Sequence, residues 1–291
     1  MTTVSVVTGA AGAMGSACAS ALAPAVDVLL LTDVDADRLA AAGARIEGET
    51  TTKVCTAVGD LVEPSFAVEL ATQTGALGDL HSLVHCAGLS PSMAAWREIL
   101  RVDLAAVARL LRDFLPHAVP GSAAVCLASV SGHMGTFDPA MDDVLDDPLA
   151  TDFEDRYQSL AGDAPDPGAT YRLAKRGVIR LCERAAVAWG ANGGRVVSVS
   201  PGLIDTEMGR LELVHNPIKN WMASITPVGG DRSPDTVLPG RVDDIASTVA
   251  FLCSGGASFI SGCDVRVDGG LIAAMTAGND RTPTIENFGR Q

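Results

Sequence analysis

Tyr171 and Lys175 stand four residues apart in a stretch of helical periodicity, which would set a phenol and an ammonium on one face of a helix. Alone the pair says little, because both residues are common on helix surfaces. Two further groups lie upstream. Ser129 follows the apolar run Ala123–Ala128, and Thr8-Gly9-Ala10-Ala11-Gly12-Ala13-Met14-Gly15 joins an apolar run to a helical one. Such a turn lets backbone approach a pyrophosphate, while free N–H groups and the positive end of a helix dipole face the anion. Its bland reading is a tight strand-to-helix turn. Asp33 closes the second apolar run, 18 residues after Gly15. A carboxylate there accepts hydrogen bonds from a ribose 2′-hydroxyl and repels a 2′-phosphate, which selects NAD over NADP. The competing role is a cap for the helix that begins at Val34.

The elements that must position these groups follow from periodicity. Thr3–Thr8, Val26–Thr32, Val54–Val58, Ser82–Cys86, Ala123–Ala128, Arg195–Ser200 and Cys263–Val267 read as buried strands. Helical patterns occupy 13–23, 35–42, 63–76, 95–115, 170–189 and 242–253. This alternation predicts an α/β fold, a doubly wound parallel sheet of seven strands with helices on both faces, in one domain over 1–291. Two segments break the rhythm. Residues 133–170 hold ten acids against one base, Arg156, which is −9 of the net −14. Residues 203–238 are irregular and read as a substrate loop or lid. Both are expected to be insertions without a core of their own.

Composition narrows the function classes. Of 291 residues, 21 are Lys or Arg and 35 are Asp or Glu, so the surface should repel nucleic acid. No run approaches the roughly 18 apolar residues of a membrane span, and no membrane partner is expected. The first basic residue is Arg38, so the cationic start of a leader is not expected and the cytoplasm is the predicted location. Seven cysteines form no C-x-x-C, and His81 and His85 sit on a strand, so no metal site is expected.

Taken together, the chain resembles the short-chain dehydrogenase/reductase family in its compact, Rossmann-like form, over nearly its whole length. The motifs are the glycine-rich turn, Asp60-Leu61 after the third strand, and His85-Cys86-Ala87-Gly88 where the family usually has Asn-Asn-Ala-Gly. Ser129, Tyr171 and Lys175 follow, then Pro201-Gly202 with Ile204 and Thr206, then Val267-Asp268-Gly269-Gly270. The resemblance implies that Tyr171 is the general acid/base. Lys175 would lower its pKa from about 10 and hold the nicotinamide ribose, and Ser129 would steady the substrate oxygen. It also implies that Gly9, Gly12, Ala13, Met14, Gly15, Asp33, Asp60, Leu61, Cys86, Ala87, Gly88, Tyr171, Lys175, Pro201, Gly202, Ile204 and Thr206 hold the cofactor.

Three departures stand out. Ala13 occupies a frequent glycine position, so the turn also fits the larger epimerase/dehydratase pattern; only 21 residues follow Gly270, too few for that branch's second domain. Asp103 replaces the family's catalytic Asn and is expected to serve through its backbone carbonyl. Ser129 and Tyr171 are 42 apart, far more than the family norm. That late tyrosine is similar to the bacterial 3α-hydroxysteroid dehydrogenase/carbonyl reductase branch.

The resulting expectation is an NAD-dependent interconversion of a secondary alcohol and a ketone on an apolar, alicyclic or steroid-like small molecule. Leu89, Met93, Met134, Leu203, Met208, Leu211, Trp221 and Met222 are its candidate surroundings; ordinary lid packing is the alternative. An epimerase or dehydratase on the same fold and a non-catalytic dinucleotide sensor are the rivals. A homo-oligomer, dimer or tetramer, is expected. Family dimers commonly pair the helices near 95–115 and 170–189. Here the acidic segment is expected either to cover that face or to fold outward over the substrate cleft, with a solvated loop as the bland alternative; the branch resemblance favours the first, with pairing through 242–270.

Overall fold

The computed structural model describes residues 1–215, 217–229 and 238–277. Its centre is a parallel sheet of β1 (Thr3–Thr8), β2 (Val28–Asp33), β3 (Lys53–Val58), β4 (Asp79–His85), β5 (Ala123–Leu127), β6 (Arg195–Pro201) and β7 (Cys263–Val267). The spatial order is β3-β2-β1-β4-β5-β6-β7, so the chain reverses its direction of travel between β1 and β4.

Alternate residues of each central strand enter opposite cores, as the period of two requires. Val4, Val6, Val28, Leu30, Ala124 and Cys126 join one core. Val7, Leu29, Leu31, Val125 and Leu127 join the other. The second core is roofed by α1 (Ala13–Leu22) and α2 (Ala36–Glu49), and by the helix Val242–Cys253 near the end of the chain. The first lies under α3 (Pro64–Leu77), α4 (Trp96–Leu100) and α5 (Ala106–Phe114), then α6 (Pro139–Leu145), α7 (Phe153–Ala161) and α8 (Pro167–Ala191). Beyond β6 come α9 (Glu207–His215), α10 (Pro217–Ile225), α11 (Val242–Cys253) and, after β7, α12 (Leu271–Ala277).

Several elements correct the expectations. The helix predicted over 95–115 is interrupted by a π turn at Arg101–Ala105 between α4 and α5. The last long helix begins at Pro167 rather than 170, because Pro fits the first helical position and Asp166 accepts the Ala169 N–H at 2.7 Å. The lid is not irregular: its described part forms α9 and α10.

The acidic segment is the larger correction. It does carry core residues: Met141, Val144, Leu145, Phe153 and Tyr157 are buried with α8 and the sheet. Tyr157 stacks on Trp96 of α4 at 5.6 Å between ring centroids and donates to Thr170 Oγ1 at 2.8 Å. Nor is its charge solvated as a block. Asp142 accepts from Nε and Nη2 of Arg176, Asp146 accepts from Arg180 bidentately and pairs with Arg184, and Glu154 accepts from Arg97 and Arg101. These bidentate pairs pin α6 and α7 onto α4 and α8. Counting charge within 133–170 missed them, since the arginines lie outside that window, on α4, on the π turn and at helical spacing along α8.

Candidate active site

The predicted residues gather along the carboxyl ends of the strands, at the reversal between β1 and β4, where open α/β sheets bind ligands. Gly9 ends β1 at φ +66, and a Cβ there would lie 2.5 Å from Ala87 N. Only glycine lets the two strand ends close on each other this tightly. A Cβ on Gly15 would lie 2.1 Å from Gly9 O, so α1 starts hard against the turn. No side chain caps α1 and no acid sits in its first turn, which leaves its N–H groups free for an anion. Ala13 occupies the exposed first position of α1, where a methyl group costs nothing.

Asp33 is not a helix cap; Asp35 caps α2, accepting the Arg38 N–H at 3.0 Å. Instead Asp33 reaches across to the turn, taking the Ala11 N–H at 3.0 Å and the Val34 N–H at 2.8 Å. Asp60 is exposed after β3, while Leu61 beside it is buried in the first core. Ile204 likewise packs into the second core, and Thr206 Oγ1 accepts the Gly209 N–H at 3.0 Å at the start of α9. These three side chains have structural work, so any cofactor contact at Leu61 and Ile204 falls to backbone. Past Pro201 and Gly202, a cavity of about 480 Å³ opens between the ends of β6 and β7, lined by Leu203, Thr226 and Asp268 among others.

Ser129 leaves β5 and accepts the Ser131 N–H at 3.1 Å, starting a short 3-10 turn over Val130–His133. Gly132 lets that turn lie on α8: a Cβ would stand 2.9 Å from Arg176 N. The contact sets the Ser129 hydroxyl beside the Tyr171 phenol, where it favours the ionised form. The acidic segment between them loops out as α6 and α7, so the 42-residue spacing closes in space. One turn along α8, Lys175 is buried, with Nζ 3.3 Å from Leu127 O and 3.9 Å from Asp103 Oδ2.

Electrostatics depart from the expectation. Burial pushes the Tyr171 phenol above its ordinary value, the Asp103 and Glu212 carboxylates push the same way, and only the Ser129 hydroxyl opposes them. The ammonium expected to draw it down faces Asp103 instead. Asp103 is fully buried on the π turn, its Oδ1 holding the Leu89 N–H at 2.8 Å. Its carboxyl is in the site, not merely its backbone. Glu212, paired with Lys219 of α10, was not foreseen, since nothing in the spacing of the lid marks it.

His85 was also missed as a site residue. Its Nδ1 is 2.7 Å from Thr8 Oγ1 and its buried Nε2 has no partner. Burial, helped by Lys175, pushes its pKa down to about 3. The imidazole therefore stays neutral in the fold while an unfolded chain takes up a proton near 6.5. Its stabilising contribution is complete above pH 6.5 and is lost as pH falls, by about 1.4 kcal/mol per unit. We expect His85→Asn to remove about 2 kcal/mol of the loss between pH 6.5 and 5. Urea midpoints at the two pH values read this; an unchanged pH dependence would refute it.

Of the eight apolar side chains expected around a substrate, Leu203 and Met222 are buried in a small core with Leu213, Leu238, Leu271 and Ile272, and Met134 packs on it. Those three serve lid packing. Met93, Leu211 and Trp221 remain exposed.

Residues 3–140 match the family model described as short chain dehydrogenase, and 158–272 match the one described as Enoyl-(Acyl carrier protein) reductase. The gap between them is the middle of the acidic segment. A curated relative, cis-4-hydroxycyclohexanecarboxylate dehydrogenase of Sinomonas cyclohexanicum, is 30% identical over 93% of this chain and 96% of its own. The chain belongs to the short-chain dehydrogenase/reductase family. It is thus an oxidoreductase of a family that uses a nicotinamide dinucleotide. The 3-alpha-hydroxysteroid dehydrogenase/carbonyl reductase of Comamonas testosteroni is 27% identical over 78% of this chain and 93% of its own. Cyclohexanol dehydrogenase of an Acinetobacter strain is 27% identical over 91% and 93%. Among solved structures, a family member from Mycobacterium ulcerans superposes with a TM-score of 0.72 at 24% identity, covering 94% of this chain and 90% of that one. Among the described residues no helix is long and apolar enough to cross a membrane.

Proposed function

We propose that this enzyme interconverts a secondary alcohol and its ketone, with NAD as the hydride carrier and an apolar alicyclic molecule as substrate. One arrangement carries the reading: the Ser129 and Tyr171 hydroxyls meet at the strand ends, one helical turn from a buried Lys175. In oxidation, Ser129 holds the alcohol oxygen and the Tyr171 oxygen takes its proton, while the carbinol C–H bond breaks and its hydride leaves. Reduction runs the same steps backward. A dinucleotide with its pyrophosphate at the glycine-rich turn and its nicotinamide ribose at Lys175 would supply the hydride acceptor or donor. Gly9, Gly12 and Gly15 give the close backbone approach, and Asp33 stands where a ribose hydroxyl would meet it. Relatives named for cyclohexane-ring and steroid alcohols support the alicyclic choice.

The direct test offers cyclohexanols, ring hydroxy acids, hydroxysteroids and acyclic diols with NAD and with NADP, following reduced nicotinamide by absorbance. Turnover of the diols alone would overturn the ring preference. For the cofactor, Asp33→Ala should shrink the preference for NAD over NADP, because one repulsive charge is removed. A wild-type enzyme that already uses both equally would refute this role of Asp33.

For assembly, the same reading expects a homo-oligomer that pairs through α11 and β7. Helices α6 and α7 cover α4 and α8, whereas Phe251 and Phe259 stand exposed beside α11 and β7. A monomer at micromolar concentration would remove this expectation.

A further inference from the structure

Asp103 and Lys175 form a buried pair of opposite charges, with the carboxyl at the position where the family has an uncharged asparagine. The carboxyl has no exposed surface, and its Oδ2 has no hydrogen-bond partner. Lys175 Nζ stands 3.9 Å away, beyond a hydrogen bond but close enough for strong attraction in a dry site. Gly88 closes over the two: a Cβ there would lie 3.0 Å from Asp103 Oδ1 and 3.3 Å from Lys175 Nζ. We propose that the Asp103 carboxylate is the counter-charge of Lys175, and that through it Asp103 sets the pH at which Tyr171 releases its proton.

The charges around the pair agree. From α8 come Lys175 and Tyr171; from the end of β4 comes His85, neutral; from the following loop comes the Leu89 N–H; from α9, Glu212 faces Tyr171. Burial holds the Asp103 carboxyl up at about 6, although Lys175 and the Leu89 N–H pull it down. Above that pH the carboxylate offsets the ammonium, and the phenol keeps its proton. An amide at 103 would leave the ammonium acting on Tyr171 undiminished. Asp103 thus acts as a positioning residue that favours the proton-donating, ketone-reducing form at neutral pH. Alcohol oxidation, which needs the phenolate, is pushed to higher pH. That catalytic consequence rests on the acid/base reading of Tyr171; the coupling itself does not.

The chain has two tyrosines, so phenolate formation can be read without turnover. In a Tyr157→Phe background, ultraviolet difference titration of the cofactor-free protein reports Tyr171 alone. Asp103→Asn keeps the size of the side chain and an oxygen for the Leu89 N–H. We expect it to lower the Tyr171 midpoint by about one pH unit or more, a tenfold change in ionisation. An unmoved midpoint would overturn the proposal, since a merely structural carboxyl alters stability and not that midpoint. Asp103→Ser should give the same downward shift if the Asn variant does not fold. With NAD and an alcohol, the acid limb of kcat/KM for oxidation should move down in step, and a fixed limb also counts against it. If Tyr171→Phe stays active the proposed function fails, while the titration still decides the coupling.

Discussion

Tyr171→Phe should lower kcat by about a thousandfold while the dissociation constant for NAD changes by no more than about twofold. The substitution removes one oxygen, the group proposed to exchange the substrate proton. The ring stays, so its packing on the first core and its place beside Lys175 are retained. Steady-state turnover and calorimetric NAD binding separate the two quantities. A variant that keeps a tenth of wild-type kcat would remove Tyr171 from the acid/base role.

Lys175→Ala should be costlier in a different way. Turnover and cofactor affinity should both fall, since the ammonium stands beside the phenol and at the expected ribose position. Stability should also drop by about 3–5 kcal/mol, because Asp103 is left charged and unpaired in a buried site. The second effect has its own check. Asp103→Asn in the Lys175→Ala background should recover much of the lost stability, measured by urea unfolding at pH 8, without recovering turnover. A double variant no more stable than Lys175→Ala alone would show that the two charges do not depend on each other.

How legible the site was differs from group to group. Thr8–Gly15 and Asp33 could be read early because their chemistry is local: a turn and a strand end adjoin in the chain and in space. Ser129, Tyr171 and Lys175 needed the resemblance, since a phenol and an ammonium on one helix face carry no signal until a partner serine is known. His85, Glu212 and the π turn at Arg101–Ala105 escaped. Each acquires meaning only from neighbours on other elements, and periodicity over a short window does not report them. The same holds for the acidic segment. Its ten acids read as a repelling block, yet Asp142, Asp146 and Glu154 fold onto arginines of α4, the π turn and α8.

The sequence by itself determined the doubly wound sheet and most of its strands, because continuous apolar runs alternating with amphipathic helices admit few other arrangements. It also determined the glycine-rich turn between β1 and α1 and the residue types available for proton transfer. Tertiary structure alone decided how Ser129 and Tyr171 meet across 42 residues, by letting Gly132 seat the turn on α8. It decided too that Lys175 faces a carboxylate. The physical reason is that electrostatics depends on distance and burial in three dimensions. Asp103 and Lys175 are 72 residues apart in sequence and 3.9 Å apart in the fold, and only the second distance sets their charge states.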